Sequence, residues 1–214
     1  MSAEILFVSG IDTGIGKTVA TGLYARERMQ RGERVVTQKM VQTGCRGLSE
    51  DILLHRRLQG LDLLPEDQDG TTCPYVFDYP CSPHLAAARQ GQRIDPAVID
   101  RATAILAERY DCVLIEGAGG LAVPYDGDHT LLDFVAERDY PLILVTSGRL
   151  GSLNHTLLSL MACRQYGIRV ARVIYNTHPP ADPVIDADSQ HYLQNHLAAH
   201  WPETEFTLLA AQEM

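Results

Sequence analysis

Lysine is almost missing from this chain of 214 residues: of its 18 basic side chains, only Lys17 and Lys39 are lysines. Lysine is normally among the commonest residues. A codon bias that trades lysine for arginine would explain the sixteen arginines wherever a generic positive charge suffices. The two survivors are then candidates for positions where a flat guanidinium cannot replace a compact ammonium. Paired cysteines are missing too. Cys45, Cys73, Cys81, Cys112 and Cys163 form no CxxC pair, which excludes a disulfide framework or a zinc site by spacing and leaves reduced thiols. There is no excess of positive charge, the formal net charge being −9. That argues against general binding to nucleic acid or to anionic membranes. No apolar run reaches the length of a membrane span, and Met1-Ser2-Ala3-Glu4 leads straight into a strand-like segment with no signal-peptide pattern. A cytoplasmic protein is expected.

What is present suits one domain over residues 1–214, since 45% of the residues are apolar and this length buries a full core. Nearly continuous apolar runs at Ile5–Ser9, Arg34–Gln38, Cys112–Ile115, Pro141–Thr146 and Val170–Tyr175 read as strands buried on both faces. Helical patterns occupy Lys17–Arg31, Glu50–Leu58, Pro96–Arg109, Thr130–Arg138 and Ser152–Tyr166, and Gly32 stands where a helix stop belongs. This alternation predicts an α/β fold: a doubly wound, mainly parallel sheet with helices on both faces. Gly60–Ser82 reads as an irregular excursion, Thr177–Asp188 as a loop rich in Pro and Asp, and Glu205–Leu209 as a weak last strand.

The first strand runs into Gly10-Ile11-Asp12-Thr13-Gly14-Ile15-Gly16-Lys17-Thr18 and then a helix. Successive backbone N–H groups and a helix N-terminus in that context cradle phosphate oxygens. Lys17 would reach the β- and γ-phosphates, and the Thr18 hydroxyl would ligate Mg²⁺. Five residues instead of the usual four separate Gly10 from Gly16. A dinucleotide fingerprint is disfavoured, because no lone acid ends the second strand. The expectation is a P-loop site for a nucleoside triphosphate.

Phosphoryl transfer needs Mg²⁺, held by a hydroxyl and one or two carboxylates. Glu116 follows a strand and precedes Gly117-Ala118-Gly119-Gly120, at the sheet edge where open α/β folds bind ligands. Asp51 and its neighbour Glu50 open a helix, where acids also complement the helix dipole; spacing does not choose between them. The second strand ends in Thr37-Gln38-Lys39-Met40-Val41-Gln42-Thr43-Gly44. Lys39 there is either an exposed strand-end cation or a group that neutralises charge on a transferred phosphoryl.

In order and spacing these residues resemble the dethiobiotin synthetase family. The shared motifs are Gly10–Thr18, Lys39–Gly44, Asp51, Ser82-Pro83-His84, Glu116–Gly120, Leu150-Gly151-Ser152-Leu153-Asn154-His155 and Asn176. The resemblance runs from residue 4 to about 176, and the family's loop shares the five-residue spacing. It implies a P-loop enzyme that uses ATP and Mg²⁺ to carboxylate 7,8-diaminononanoate (7,8-diaminopelargonate) with CO₂. Ring closure then passes through a carbamate and a carbamic-phosphoric anhydride to dethiobiotin, ADP and phosphate.

By position, the resemblance assigns Lys39 and Lys17 to catalysis and Thr18, Asp51 and Glu116 to the metal. It assigns Thr13, Gly14, Ile15, Gly16, Lys17, Thr18, Val19, Glu116, Gly117, Ala118, Gly119 and Asn176 to the nucleotide, Asn176 at the adenine edge. Thr13, Lys39, Thr43, Leu150, Gly151, Ser152, Leu153 and Asn154 go to the substrate, the last five from across a homodimer interface. His84 and His155 are expected to be structural. Two departures bear on the nucleotide. Gly14 stands where many members have an acid, and no Ile/Leu-Pro segment follows Phe206–Leu209, so looser base selectivity is expected.

The main rival is a switch ATPase of the partitioning or cell-division class, a regulatory binding protein. Those carry a second lysine five residues before the invariant one, and here that position is Asp12. A P-loop amide synthetase would normally need a glutaminase domain, which this chain lacks.

Overall fold

The computed structural model describes residues 3–180 and 182–209. Six parallel strands form one sheet in the order β2-β5-β1-β6-β7-β8. They are β1 Glu4–Gly10, β2 Val35–Lys39, β5 Cys112–Gly120, β6 Leu142–Ser147, β7 Val170–Asn176 and β8 Glu205–Leu209. A separate two-stranded pair, β3 Gln42–Thr43 and β4 Val76–Phe77, lies beyond the end of β2. Alternate residues of the strands feed opposite cores. Phe7, Val36, Val113 and Leu144 pack on one face, while Leu6, Val8, Val35, Leu114 and Val145 pack on the other. Period-two alternation with apolar side chains on both faces makes the strands read as continuous runs.

The helices begin where capping chemistry allows. α1 Lys17–Gln30 leaves the phosphate loop, and α2 Glu50–Gln59 starts at Ser49, whose hydroxyl accepts from the Ile52 N–H at 3.2 Å. α5 Pro96–Arg109 is capped by Asp95, and α6 Leu131–Glu137 by the reciprocal bonds of Thr130 and Asp133. α7 Ser152–Gln165 follows Gly151. Short helices α3 Pro65–Gln68 and α4 Pro83–Arg89 precede α5, and α8 Pro183–His200 leads to β8.

Two expectations need correction. The strand containing Cys112–Ile115 does not stop there. Glu116 and the four residues after it stay in β5, because the glycine-rich tract still pairs with β1, with Gly10 opposite Gly120. Residues 183–188 are helical, not loop. Asp182 accepts from the N–H groups of Val184 and Ile185, and Pro183 fills the first helical position. Prolines and aspartates that look like loop composition are here a cap followed by N1. The excursion Gly60–Ser82 contains α3 and β4 and is clamped from beneath. Arg56 donates twice to Asp67, at 2.8 Å each, with both side chains almost wholly buried. Among the described residues no helix is long and apolar enough to cross a membrane.

Parallel pairing brings every strand's C-terminal end to one edge. There β1 carries the phosphate loop, and the register sets Lys39 of β2 beside Glu116 of β5.

Candidate active site

The loop after β1 needs left-handed backbone at Gly14 (φ 69°) and Gly16 (φ 95°), which glycine adopts without steric cost. At Gly16 there is a second reason, since a Cβ there would stand 2.4 Å from Nδ2 of Asn176. That amide donates to the Ile15 carbonyl at 3.0 Å, and its Oδ1 accepts from the His178 N–H at 3.0 Å. Asn176 therefore braces the loop from the end of β7. Lys17 is buried, and its ammonium donates to the Asp12 carbonyl at 3.0 Å. Burial, together with the nearby Lys39 ammonium, pushes the Lys17 pKa down to about 8. The Asp12 carboxylate is itself paired with Arg149 at 2.6 Å.

Across from the loop, α2 presents Asp51 and β5 presents Glu116. The Thr18 hydroxyl lies 3.1 Å from Oδ1 of Asp51 and 3.1 Å from Oε1 of Glu116. The Lys39 ammonium sits between the same two carboxylates, 2.5 Å from Asp51 and 2.8 Å from Glu116, and reaches the Gly117 carbonyl at 3.1 Å. Burial alone would lower the Lys39 pKa, but the charges of Glu116 and Asp51 outweigh it and hold the group well above its ordinary value. Burial works the other way on Glu116. Lys39 and a hydrogen bond from His55 overcome it and keep the carboxyl far below the usual range. Both groups are therefore charged at neutral pH.

The helix that carries Asp51 is fixed at its start. The Ser49 hydroxyl donates to Oε1 of Gln42 at 2.6 Å, and the Asp51 N–H points at the same oxygen at 3.3 Å. Gln42 thus couples the segment after β2 to the first turn of α2.

A cavity of about 420 Å³ opens over these groups, lined by Thr13, Gly14, Gly16, Lys17, Thr18, Val19, Lys39, Thr43, Asp51, Glu116, Ala118 and Gly119 among the expected residues. Val41, Gln42 and Leu54 complete the lining. Glu50, the competitor of Asp51, is exposed and is not part of the cavity lining. Ile15, Gly117 and Asn176 are not part of that lining. Leu150, Gly151, Ser152, Leu153 and Asn154 line no part of this cavity, and Leu150 is 85% exposed. The Ser152 hydroxyl is within 3.1 Å of Ser147. His84 borders a different and wider cavity of about 670 Å³, beside Arg93, Asp95 and Tyr125.

Sequence reading missed His55. Its ring is fully buried, with Nε2 2.8 Å from Oε2 of Glu116. The available signal was spacing, because Asp51 and His55 are four residues apart and share one face of α2. Among the described residues no group of three or more His, Cys, Asp or Glu side chains forms a metal cage. Two carboxylates and a hydroxyl are instead the sparse oxygen set with which proteins hold a Mg²⁺ that keeps waters and phosphate oxygens.

A family model described as an AAA domain matches residues 4–205. An ATP-dependent dethiobiotin synthetase BioD 2 of Haemophilus ducreyi is 56% identical, over 98% of this chain and 99% of its own length. Its counterpart in Pasteurella multocida is 54% identical over 97% of each chain. In Chlorobaculum tepidum, an ATP-dependent dethiobiotin synthetase BioD is 53% identical over 89% of this chain and 80% of its own. Among solved structures, a ParA family ATPase from Chlorobium tepidum superposes with a TM-score of 0.58 at 14% identity, covering 99% of this chain and 86% of that one. FlhF complexed with GMPPNP and Mg²⁺ gives a TM-score of 0.55 at 14% identity, covering 100% and 68%. The two structures share only the P-loop fold, whereas the near full-length identities carry the activity. The chain belongs to the ATP-dependent dethiobiotin synthetases, the ligases of biotin biosynthesis.

Proposed function

We propose that the chain, acting as one domain over residues 1–214, uses ATP and Mg²⁺ to convert 7,8-diaminononanoate and CO₂ into dethiobiotin, ADP and phosphate. The observation that carries this reading is the convergence of Lys17, Thr18, Lys39, Thr43, Asp51 and Glu116 on one cavity at the strand ends. An unprotonated amine of the substrate adds to CO₂ and loses a proton, giving a carbamate. A carbamate oxygen attacks the γ-phosphorus, the bond to ADP breaks, and a carbamic-phosphoric anhydride forms. The second amine then attacks the carbonyl carbon, expels phosphate and loses its proton, closing the cyclic urea.

The chain's part is positioning and charge. Lys17 and the N–H groups from Thr13 to Val19 cradle the triphosphate. Lys39 faces the transferred phosphoryl and the carbamate, where a buried ammonium stabilises charge that water would otherwise screen. Thr43 offers a hydroxyl to the diamine. Thr18, Asp51 and Glu116 would hold Mg²⁺, which when bound neutralises phosphate charge. Leu150–Asn154 would reach the substrate carboxylate of a neighbouring subunit in a homodimer, since they lie outside their own chain's cavity. The reaction needs neither nucleic acid nor membrane and is placed in the cytoplasm.

Labelled bicarbonate supplied with the diamine and Mg·ATP tests the proposal. The label is expected in a cyclic urea, with one ADP and one phosphate formed per turnover. ATP hydrolysis with no label incorporated would instead favour the switch-ATPase reading.

A further inference from the structure

Glu116 is fully buried and carries its charge on two oxygens that face different ways. Oε1 lies toward Thr18 and Lys39, at 3.1 and 2.8 Å. Among the described residues Oε2 has one side-chain partner, Nε2 of His55 at 2.8 Å. His55 is wholly buried on α2, one turn beyond Asp51, and its other ring nitrogen, Nδ1, has no hydrogen-bond partner among the described residues. A proton on Nδ1 would be an orphan donor in the interior, which is costly. A bare lone pair there costs less, so the ring hydrogen is assigned to Nε2, facing the carboxylate.

From this geometry we infer that His55 is a positioning residue, whose Nε2–H pins Oε2 of Glu116 so that Oε1 stays turned toward Thr18 and Asp51, the oxygens proposed to hold Mg²⁺. A carboxylate anchored through one oxygen presents the other in a fixed direction. One lacking that anchor pivots about its last torsion, which is a broad one. The same helical turn then serves the site twice, with Asp51 contributing an oxygen and His55 orienting the oxygen of β5. This inference rests on the proposal that Glu116 is a Mg²⁺ ligand. Groups that orient ligands in this way typically contribute 10–100-fold in metal affinity.

The test is calorimetric titration of Mg²⁺ into the protein saturated with ADP, with ADP binding in EDTA measured alongside. Wild type is compared with His55→Leu, His55→Gln, His55→Asn and Glu116→Gln. Glutamine carries its Nε2 at about the reach of the imidazole Nε2, while asparagine falls short of Glu116. The expected result is Mg²⁺ affinity weakened about 10–100-fold in His55→Leu and His55→Asn, and largely restored in His55→Gln. ADP binding in EDTA should be equal in wild type and the three His55 variants, which a general loosening of the fold would not give. Coincident Mg²⁺ titrations for wild type and His55→Leu, or a parallel loss of ADP binding in EDTA, overturn the inference. Should His55→Leu not fold, the Gln and Asn variants decide it, and equal affinities in those two overturn it. If Glu116→Gln leaves Mg²⁺ affinity intact, the ligand assignment falls and the inference with it. If Glu116→Gln abolishes affinity while the His55 variants keep it, the inference alone fails.

Discussion

At the scale of single residues, both lysines of the chain end in one cavity, 7% and 4% exposed. Their chemistry differs. Lys17 is buried near a second cation and its pKa is pushed down to about 8, whereas two carboxylates hold Lys39 firmly protonated. A guanidinium at position 39 would have to fit a planar fork where one nitrogen already meets Asp51, Glu116 and the Gly117 carbonyl. Lys39→Gln is therefore expected to lower turnover at saturating Mg²⁺ by about 10²-fold or more, the usual cost of removing a group aimed at developing charge. ADP affinity, measured by calorimetry, should change little because the loop and Lys17 remain. Lys39→Arg should lose nearly as much turnover, and full activity in it would make the scarcity of lysine an accident of composition. Lys39 and Glu116 were legible because each lies at the end of an apolar run, and a parallel sheet sends such ends to one edge. His55 was not, because its partner is 61 residues away and a lone histidine in a helical pattern looks like packing.

At the scale of elements, α2 does more than carry Asp51. Arg56, one residue after His55, leaves the helix about 100° further round and binds Asp67, the Thr37 hydroxyl at 2.9 Å and Gln59 at 2.7 Å. Asp67 also accepts from the Leu64 N–H at 2.8 Å and the Thr72 hydroxyl at 2.7 Å. This network explains why a stretch with turn-like composition is ordered. Its organising contact joins a helix to a residue that reads as one more acid in a polar run, and no local pattern announces that. Asp67→Ala would leave the Arg56 charge buried and unpaired, so a loss of about 3–5 kcal/mol in denaturant unfolding is expected. Burial pushes the Asp67 carboxyl up, but Arg56 and the other donors outweigh it and hold the folded-state value below 3.8. The sign follows: the contribution is complete above the unfolded-state pKa and fades as pH falls through the lower folded-state one. As pH falls below the ordinary aspartate value of about 3.9, wild-type stability should drop more steeply than that of Asp67→Asn, which has no such charge to lose. Parallel pH profiles for the two proteins would remove Asp67 from the acid response.

At the scale of the whole molecule, the sheet gathers the phosphate loop, both lysines and the two carboxylates, but not the segment expected to hold the substrate carboxylate. That segment opens α7, which carries apolar side chains into solvent: Leu158 is 55% exposed and Met161 66%, with Leu150 at 85% just before the helix. A cavity of about 380 Å³ that Leu158 borders is lined by Ile11, Leu121, Val123 and Leu132 together with Asp12, Thr13 and Ser159. Large exposed apolar groups gathered on one face mark an association surface more often than an accident of packing. Joined by a second copy, the surface would be covered and Leu150–Asn154 brought to the neighbour's cavity, so both features have one explanation. Periodicity in the sequence could not supply this, because apolar side chains left on the surface of a helix look like one more core-facing stripe. A charge placed in such an apolar contact is costly. Leu158→Glu is therefore expected to elute as a monomer by size-exclusion chromatography with light scattering, and wild type as a dimer. In the monomer the KM for the diamine should rise about 10-fold or more, equivalent to about 1.4 kcal/mol of lost contact, while ADP binding stays at the wild-type value. A wild type that is monomeric at assay concentration and still turns over at full rate would return the substrate carboxylate to groups within a single chain.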